Sequence, residues 1–258
     1  MTNLDLKNTA ESLIDTFMEA GKIAKEISQR GVKITIKPDK SPVTDGDLAV
    51  DQLLKTKIKT LTPNIPIVSE ETVNFNSKRK SNSFWLIDPI DGTKDYIKKK
   101  DEYTLNAALI INLKPVLGII NAPAKDRLFF SYGKNLAFEV NNGKKVSLNC
   151  KKINTNETIG LTHSGSTPSE ILEIYKKHKV TRTIKMSSSL KFCILAAGEA
   201  DIYAAQARAF EWDIAAGHAI LIHAGGQMTT LDENNFSYGK KKFKNLSLIG
   251  KRALNLKL

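Results

Sequence analysis

Cysteine is nearly absent from this chain of 258 residues: there are two, Cys150 and Cys193, far apart and in no metal-ligand spacing. A thiolate metal site is excluded, and a reduced, cytoplasmic protein is expected. Neither cysteine stands in a phosphate-cradling loop that ends in arginine, which excludes a cysteine-based phosphatase. No apolar run is long enough to span a bilayer. The longest, residues 107–120, is broken by Asn112, Lys114 and Pro115. The first 25 residues carry Asp5, Glu11, Asp15 and Glu19, a pattern unlike a secretory signal. There is no internal repeat, no low-complexity linker and no stacking-aromatic signature of a nucleic-acid module.

The composition, 41% hydrophobic and 26% charged, is that of a soluble globular protein. The length allows one large domain or two small ones. Lysine dominates a formal charge of +12, with short runs at residues 78–80, 98–100 and 240–242. Such a charge reads as a solvated surface or as a positive field that draws in a polyanionic ligand. A non-catalytic nucleic-acid binder is a third, remote reading that rests on charge alone.

Leu6, Ala10, Leu13, Ile14, Phe17, Met18 and Gly21 follow helical spacing. A strand is expected over residues 32–37, a helix over 47–61 and a short strand over 65–68. Residues 84–87 read as a buried strand that Pro89 is expected to stop. Runs at 103–111, 116–120, 127–131 and 136–140 predict a meander of antiparallel strands. Residues 74–83 read as a polar, mobile loop. Beyond residue 152 short strands alternate with helices, which predicts an α/β layer.

Acids cluster where these elements begin or end. Glu70 and Glu71 follow Ile67-Val68, Asp88 and Asp91 follow Leu86-Ile87, Asp47 precedes Leu48, and Asp213 opens an apolar helix. Singly, each has an ordinary reading as a helix cap or a solvated loop end. Jointly, around Asp88-Pro89-Ile90-Asp91-Gly92-Thr93, they suit a hard divalent cation beside a phosphate held by free amides.

These blocks resemble those of the lithium-sensitive, magnesium-dependent phosphatases related to inositol monophosphatase. The resemblance rests on Ser41-Pro42-Val43-Thr44-Asp45 with Asp47, Val68-Ser69-Glu70-Glu71, residues 85–93 and residues 211–217. Within the family the chain is similar to bacterial 3'(2'),5'-bisphosphate nucleotidases of sulfur assimilation, through residues 91–97, 122–127 and 188–193. The resemblance implies a layered αβαβα sandwich, of mixed α+β and α/β class. Residues 1–151 would form an N-terminal α+β subdomain around an antiparallel sheet and carry most metal ligands. Residues 152–258 would form a C-terminal α/β subdomain carrying Asp213 and substrate contacts.

The roles implied are these. Glu70, Asp88, Asp91 and the Ile90 carbonyl would hold one Mg²⁺, and Asp88, Asp91 and Asp213 a second; a third ion is possible in such a site. Thr93, paired with Asp47, would orient the attacking water, with Glu70 assisting. The amides of Gly92 and Thr93 would hold phosphate. His163, Ser188, Ser189, Lys191 and Asp213 would contact a small phosphorylated nucleotide. Many relatives carry Pro-Arg or Pro-Gln followed by Gly after the strand at 200–203; here the expected arginine is either absent or displaced to Arg208. The expected reaction is release of the 3'-phosphate of adenosine 3',5'-bisphosphate by direct attack of metal-activated water. Inositol monophosphate and fructose 1,6-bisphosphate are the alternative substrates. The oligomeric state is left open.

Overall fold

The computed structural model describes residues 3–75, 81–150 and 157–252. The basic run at 78–80, much of the loop expected at 74–83, and the boundary at 151/152 lie outside the described residues. The chain opens with α1 (Asn3–Arg30), followed by a hairpin of β1 (Ile34–Ile36) and β2 (Pro42–Thr44). Next come α2 (Asp45–Leu61), β3 (Ile67–Ser69), β4 (Phe84–Asp91), α3 (Thr93–Ile97), β5 (Thr104–Ile111) and β6 (Lys114–Ala122). The expected meander continues through β7 (Arg127–Ser131) and β8 (Ala137–Asn141), with β9 (Lys144–Ser147) at its edge. These strands form a seven-stranded sheet in the order β3 to β9, antiparallel except for the parallel β3–β4 pair.

The second part contains β10 (Ile159–Thr162), α4 (Ser169–Lys177), β11 (Arg182–Lys185), α5 (Leu190–Ala196) and β12 (Ile202–Ala205). It closes with α6 (Glu211–His223), β13 (Gln227–Thr230) and β14 (Leu248–Lys251). Its five strands pair in the order β11-β10-β12-β14-β13.

Side-chain alternation explains the layering. In β4, Trp85 and Ile87 join the core beneath α1 and α2, whereas Phe84 and Leu86 face the core shared with α5 and α6. Leu6, Ala10, Leu13 and Phe17 form the buried stripe of α1, and Val50, Leu54 and Ile58 that of α2. Each such buried leucine or phenylalanine stabilises the fold by about 1.5–3 kcal/mol. Helix α6 is apolar around its circumference because it lies between the two sheets. Gly118 makes that contact possible: a Cβ there would stand 2.4 Å from the Ala216 carbonyl oxygen. Helix α4 covers the far face of the five-stranded sheet through Ile171 and Tyr175. The result is the αβαβα sandwich. Among the described residues no helix is long and apolar enough to cross a membrane.

One expectation is corrected. Pro89 does not end β4, which runs on to Asp91. The register against β5 shifts between Asp88 and Asp91, and this irregularity accommodates a residue that cannot donate to the ladder.

Candidate active site

The parallel pairing of β3 with β4 brings their carboxyl ends together. The Glu70 amide donates to the Ile87 carbonyl at 3.1 Å, which sets Glu70 beside Asp88. Asp213 arrives from α6, where one of its oxygens accepts the Phe210 amide at 2.8 Å. Ligand atoms of Glu70, Asp88 and Asp213 lie within 4.8 Å of one another. Asp91, at the end of β4, accepts the Ser189 amide at 2.6 Å and adds to the negative field on Asp88 and Asp213.

Burial first, then mutual repulsion, raises the Asp88 and Asp213 carboxyls well above the usual range. Burial pushes Asp91 up to about 6 against the opposing pull of Lys191. Asp88 Oδ1 is buried with no hydrogen-bond partner. An orphaned acceptor in an all-oxygen cluster of repelling carboxylates fits a hard divalent cation.

Asp47 shows how one residue serves both a helix and a site. It is the third residue of α2, and its Oδ2 accepts the Thr44 amide at 2.7 Å in a capping box. Its Oδ1 lies 3.4 Å from the Thr93 hydroxyl, which is also 3.1 Å from the Ile90 carbonyl. Burial pushes the Asp47 carboxyl up to about 6, although the Thr44 bonds pull it down. Gly92, at φ 93°, turns the chain into α3, and its carbonyl accepts the Asp95 and Tyr96 amides. The Thr93 and Lys94 amides, the first of α3, have no intrahelical acceptor.

The opposite side of the cleft is basic. A cavity of about 480 Å³ is lined by Glu70, Gly92, Thr93, His163, Lys191 and Arg208, with further lysines at its rim. A second, of about 260 Å³, shares Ser188, Lys191 and Arg208 and reaches Asp91 and Asp213. Lys191 is buried, not snorkelling to solvent: its ammonium donates to the Met186 carbonyl at 3.2 Å and the Ser188 carbonyl at 2.5 Å. His163 Nδ1 accepts the Gly165 amide at 2.8 Å, and burial with nearby Arg208 and Lys191 lowers its pKa. Arg208 is exposed at the cleft.

Ser189 borders the second cavity, but its hydroxyl is engaged within the protein. Its side chain is buried, with its hydroxyl 2.7 Å from Asn106 Oδ1 and 2.8 Å from the Thr104 hydroxyl. Sequence reasoning missed three other features. Lys37, in the hairpin loop, lies 2.7 Å from Glu71 and 3.4 Å from Glu70. Asp51, one turn beyond Asp47, accepts the Ser69 hydroxyl at 2.5 Å and fixes the end of β3. Its helical spacing from Asp47 was a usable signal. Thr104 and Asn106 had no signal beyond a strand interior.

Comparison with known proteins shows the family. The sequence model of the inositol monophosphatase family matches residues 5–253. A protein of Buchnera aphidicola named 3'(2'),5'-bisphosphate nucleotidase CysQ is 42% identical over 213 residues, 82% of this chain and 79% of that protein. Its namesake from Aggregatibacter actinomycetemcomitans is 30% identical over 236 residues, 90% of this chain and 88% of that one. Among solved structures, CysQ from Bacteroides thetaiotaomicron superposes with a TM-score of 0.78 at 27% identity, covering 95% of this chain and 97% of that one. Inositol monophosphatase from Anabaena shares the fold, with a TM-score of 0.77 at 21% identity and coverage of 98% and 92%. The chain therefore belongs to the inositol monophosphatase family of metal-dependent phosphatases.

Proposed function

We propose that this protein is a magnesium-dependent phosphomonoesterase that converts adenosine 3',5'-bisphosphate and water to AMP and phosphate. One observation carries the reading: Glu70, Asp91 and Asp213, with Asp88 beside them, and the cations Lys191 and Arg208 meet at two cavities that share Ser188, Lys191 and Arg208. The acids suit a metal-assisted phosphoryl site, and the cations suit a second phosphate on the same substrate. Inositol monophosphate would leave those cations without a partner. The names of the curated relatives agree with this choice.

Glu70, Asp88, Asp91, Asp213 and the Ile90 carbonyl would hold two or three Mg²⁺ ions. Once bound, these neutralise charge on the phosphoryl group and supply a nucleophile at neutral pH. The chain's own residues do the rest. The Thr93 hydroxyl, held between Ile90 and Asp47, orients the attacking water. Asp47, at about 6, is ionised at neutral pH and accepts a proton through Thr93. Glu70 faces the same space from the end of β3. The Gly92 and Thr93 amides hold oxygens of the departing phosphate. Lys191 and Arg208 bind the remaining phosphate, with His163, Ser188 and Asp213 toward the sugar. Both cysteines are buried in the core, so no thiol faces the cleft as a nucleophile.

The test is phosphate release from a panel at fixed magnesium. Adenosine 3',5'-bisphosphate should exceed inositol 1-phosphate and fructose 1,6-bisphosphate in kcat/KM by about 10–100-fold, the worth of one charged hydrogen bond. Equal values would remove the substrate assignment.

A further inference from the structure

The register of β4 against β5 places Asn106 directly opposite Asp88 and Thr104 directly opposite Asp91. Side chains at paired positions share one face of a sheet, with Cβ atoms about 5 Å apart. The two strand neighbours of the acids are therefore polar, and both are almost completely buried. Both also meet Ser189 from the far half of the chain, at 2.8 Å for Thr104 and 2.7 Å for Asn106. Ser189 in turn donates its amide to Asp91 at 2.6 Å.

These hydrogen bonds have a direction. With Asn106 Oδ1 accepting from the Ser189 hydroxyl, the Thr104 hydroxyl must donate to Ser189. Asn106 is left presenting Nδ2, a buried donor without a partner. Opposite it in the register stands Asp88, whose Oδ1 is a buried acceptor without a partner. The two do not bond to each other, so the hydrogen bond that ties this group of residues to the acids is the one from the Ser189 amide to Asp91.

We infer that Thr104 and Asn106 form with Ser189 a buried strut of positioning residues that orients Asp91 for metal binding through the Ser189 amide. The inference rests on the metal-dependent reading above, and it moves Ser189 from substrate contact to metal support. Carboxylates that hold a cation need their remaining lone pairs occupied, and for Asp91 the strut supplies one such donor, the Ser189 amide. Its two strand residues come from the same sheet as the acids, so the support is as rigid as the ladder itself.

Direct metal titration of the full chain tests this without reliance on turnover, with Mn²⁺ as the probe followed by electron paramagnetic resonance or calorimetry. Ser189→Ala and Thr104→Val should each weaken Mn²⁺ binding by about tenfold or more, the usual effect of losing a partner of a metal ligand. Thr104→Ser, which keeps the hydroxyl, should restore wild-type affinity. At saturating metal, the KM of Ser189→Ala for adenosine 3',5'-bisphosphate should equal that of the wild type. Raised KM with unchanged Mn²⁺ affinity would overturn the inference and return Ser189 to the substrate. A lowered Tm in Thr104→Val with unchanged Mn²⁺ affinity would also overturn it. A wild-type protein that binds Mn²⁺ but prefers another substrate would defeat the nucleotidase reading and leave the strut standing.

Discussion

Lys37 and Glu71 form an ion pair of 2.7 Å beside the acid cluster, and the same ammonium reaches Glu70 at 3.4 Å. The Glu71 side chain is only 3% exposed, so its charge has little access to water. Burial raises its carboxyl, while Lys37 acts in the opposite sense. Removing one partner of such a pair strands the other. Lys37→Met should therefore destabilise the protein by about 2 kcal/mol, or about 4–8 °C in Tm for a chain of this size. Thermal unfolding with and without magnesium measures this. An unchanged Tm would show that Glu71 finds another donor.

The acid cluster carries the opposite expectation. Asp213 is raised well above its ordinary value by burial and by the charges of Asp91 and Glu70. Asp213→Asn keeps an oxygen for the Phe210 amide and removes one repelling charge. In chelator at neutral pH this variant should be more stable than the wild type, with a raised Tm. The same change should abolish phosphate release and shrink the Tm gain that magnesium gives the wild type through binding linkage. A variant that is less stable in chelator would contradict the charge repulsion.

How much of this was legible beforehand depends on chain distance. Glu70, Asp88, Asp91 and Asp213 announce themselves, because acids at the ends of apolar elements break the local pattern. Asp47 and Thr93 follow from the same blocks. The elements were legible too, since alternation in the strands and the apolar stripe of α1 are local signals, whereas the order of the layers came from the family resemblance. Lys37 was not legible: it lies 33 residues from Glu70 and meets it only because the β1–β2 hairpin folds back over the site. Thr104 and Asn106 read as ordinary strand residues, and only the register against β4 reveals what they face. Pro89 misled for a related reason. Its propensity ends strands, but pairing on both sides of it and a shift in register override that preference.

Lys191 provides a pH signature. Burial lowers its ammonium to about 8, with Asp91 opposing and Arg208 reinforcing the shift. Phosphate esters complete their ionisation near pH 6, so substrate charge is constant above pH 7. KM for the bisphosphate should rise as pH passes about 8, and Lys191→Met should have a high KM that no longer varies there. Stability moves the other way. The folded state binds fewer protons than the unfolded chain between about 8 and 10.5, so this group makes the fold more stable as pH rises through that window. A pH-independent KM up to pH 9.5 in the wild type would take Lys191 out of phosphate binding.

Arg208 is exposed at the cavity that Lys191 and His163 line. We propose that it takes the place of the recognition arginine that the family resemblance leads one to expect. Arg208→Ala should raise KM for adenosine 3',5'-bisphosphate by about 10–100-fold, the equivalent of one charged hydrogen bond. A substrate with a single phosphate, such as 3'-AMP, should be hydrolysed with unchanged KM. Equal losses on both substrates would place Arg208 at the scissile phosphate instead.

The two sheets invite division into subdomains at residues 151 and 152, yet their packing argues for one cooperative unit. A single core contains Phe84, Leu86, Ile120 and Phe129 of the larger sheet and Leu161, Tyr203 and Leu248 of the smaller. Helix α6 lies between the sheets, so either sheet alone would expose an apolar face. Arg127 ties the halves further, pairing with Glu139 of its own sheet at 2.6 Å and with Glu199 of the other half at 2.5 Å. We propose that residues 1–151 and 152–258 are subdomains in architecture only. Calorimetry of the full chain should give one transition with equal calorimetric and van't Hoff enthalpies. Two resolved transitions would show that each sheet carries a core sufficient for itself, and that the apolar circumference of α6 is satisfied by one partner.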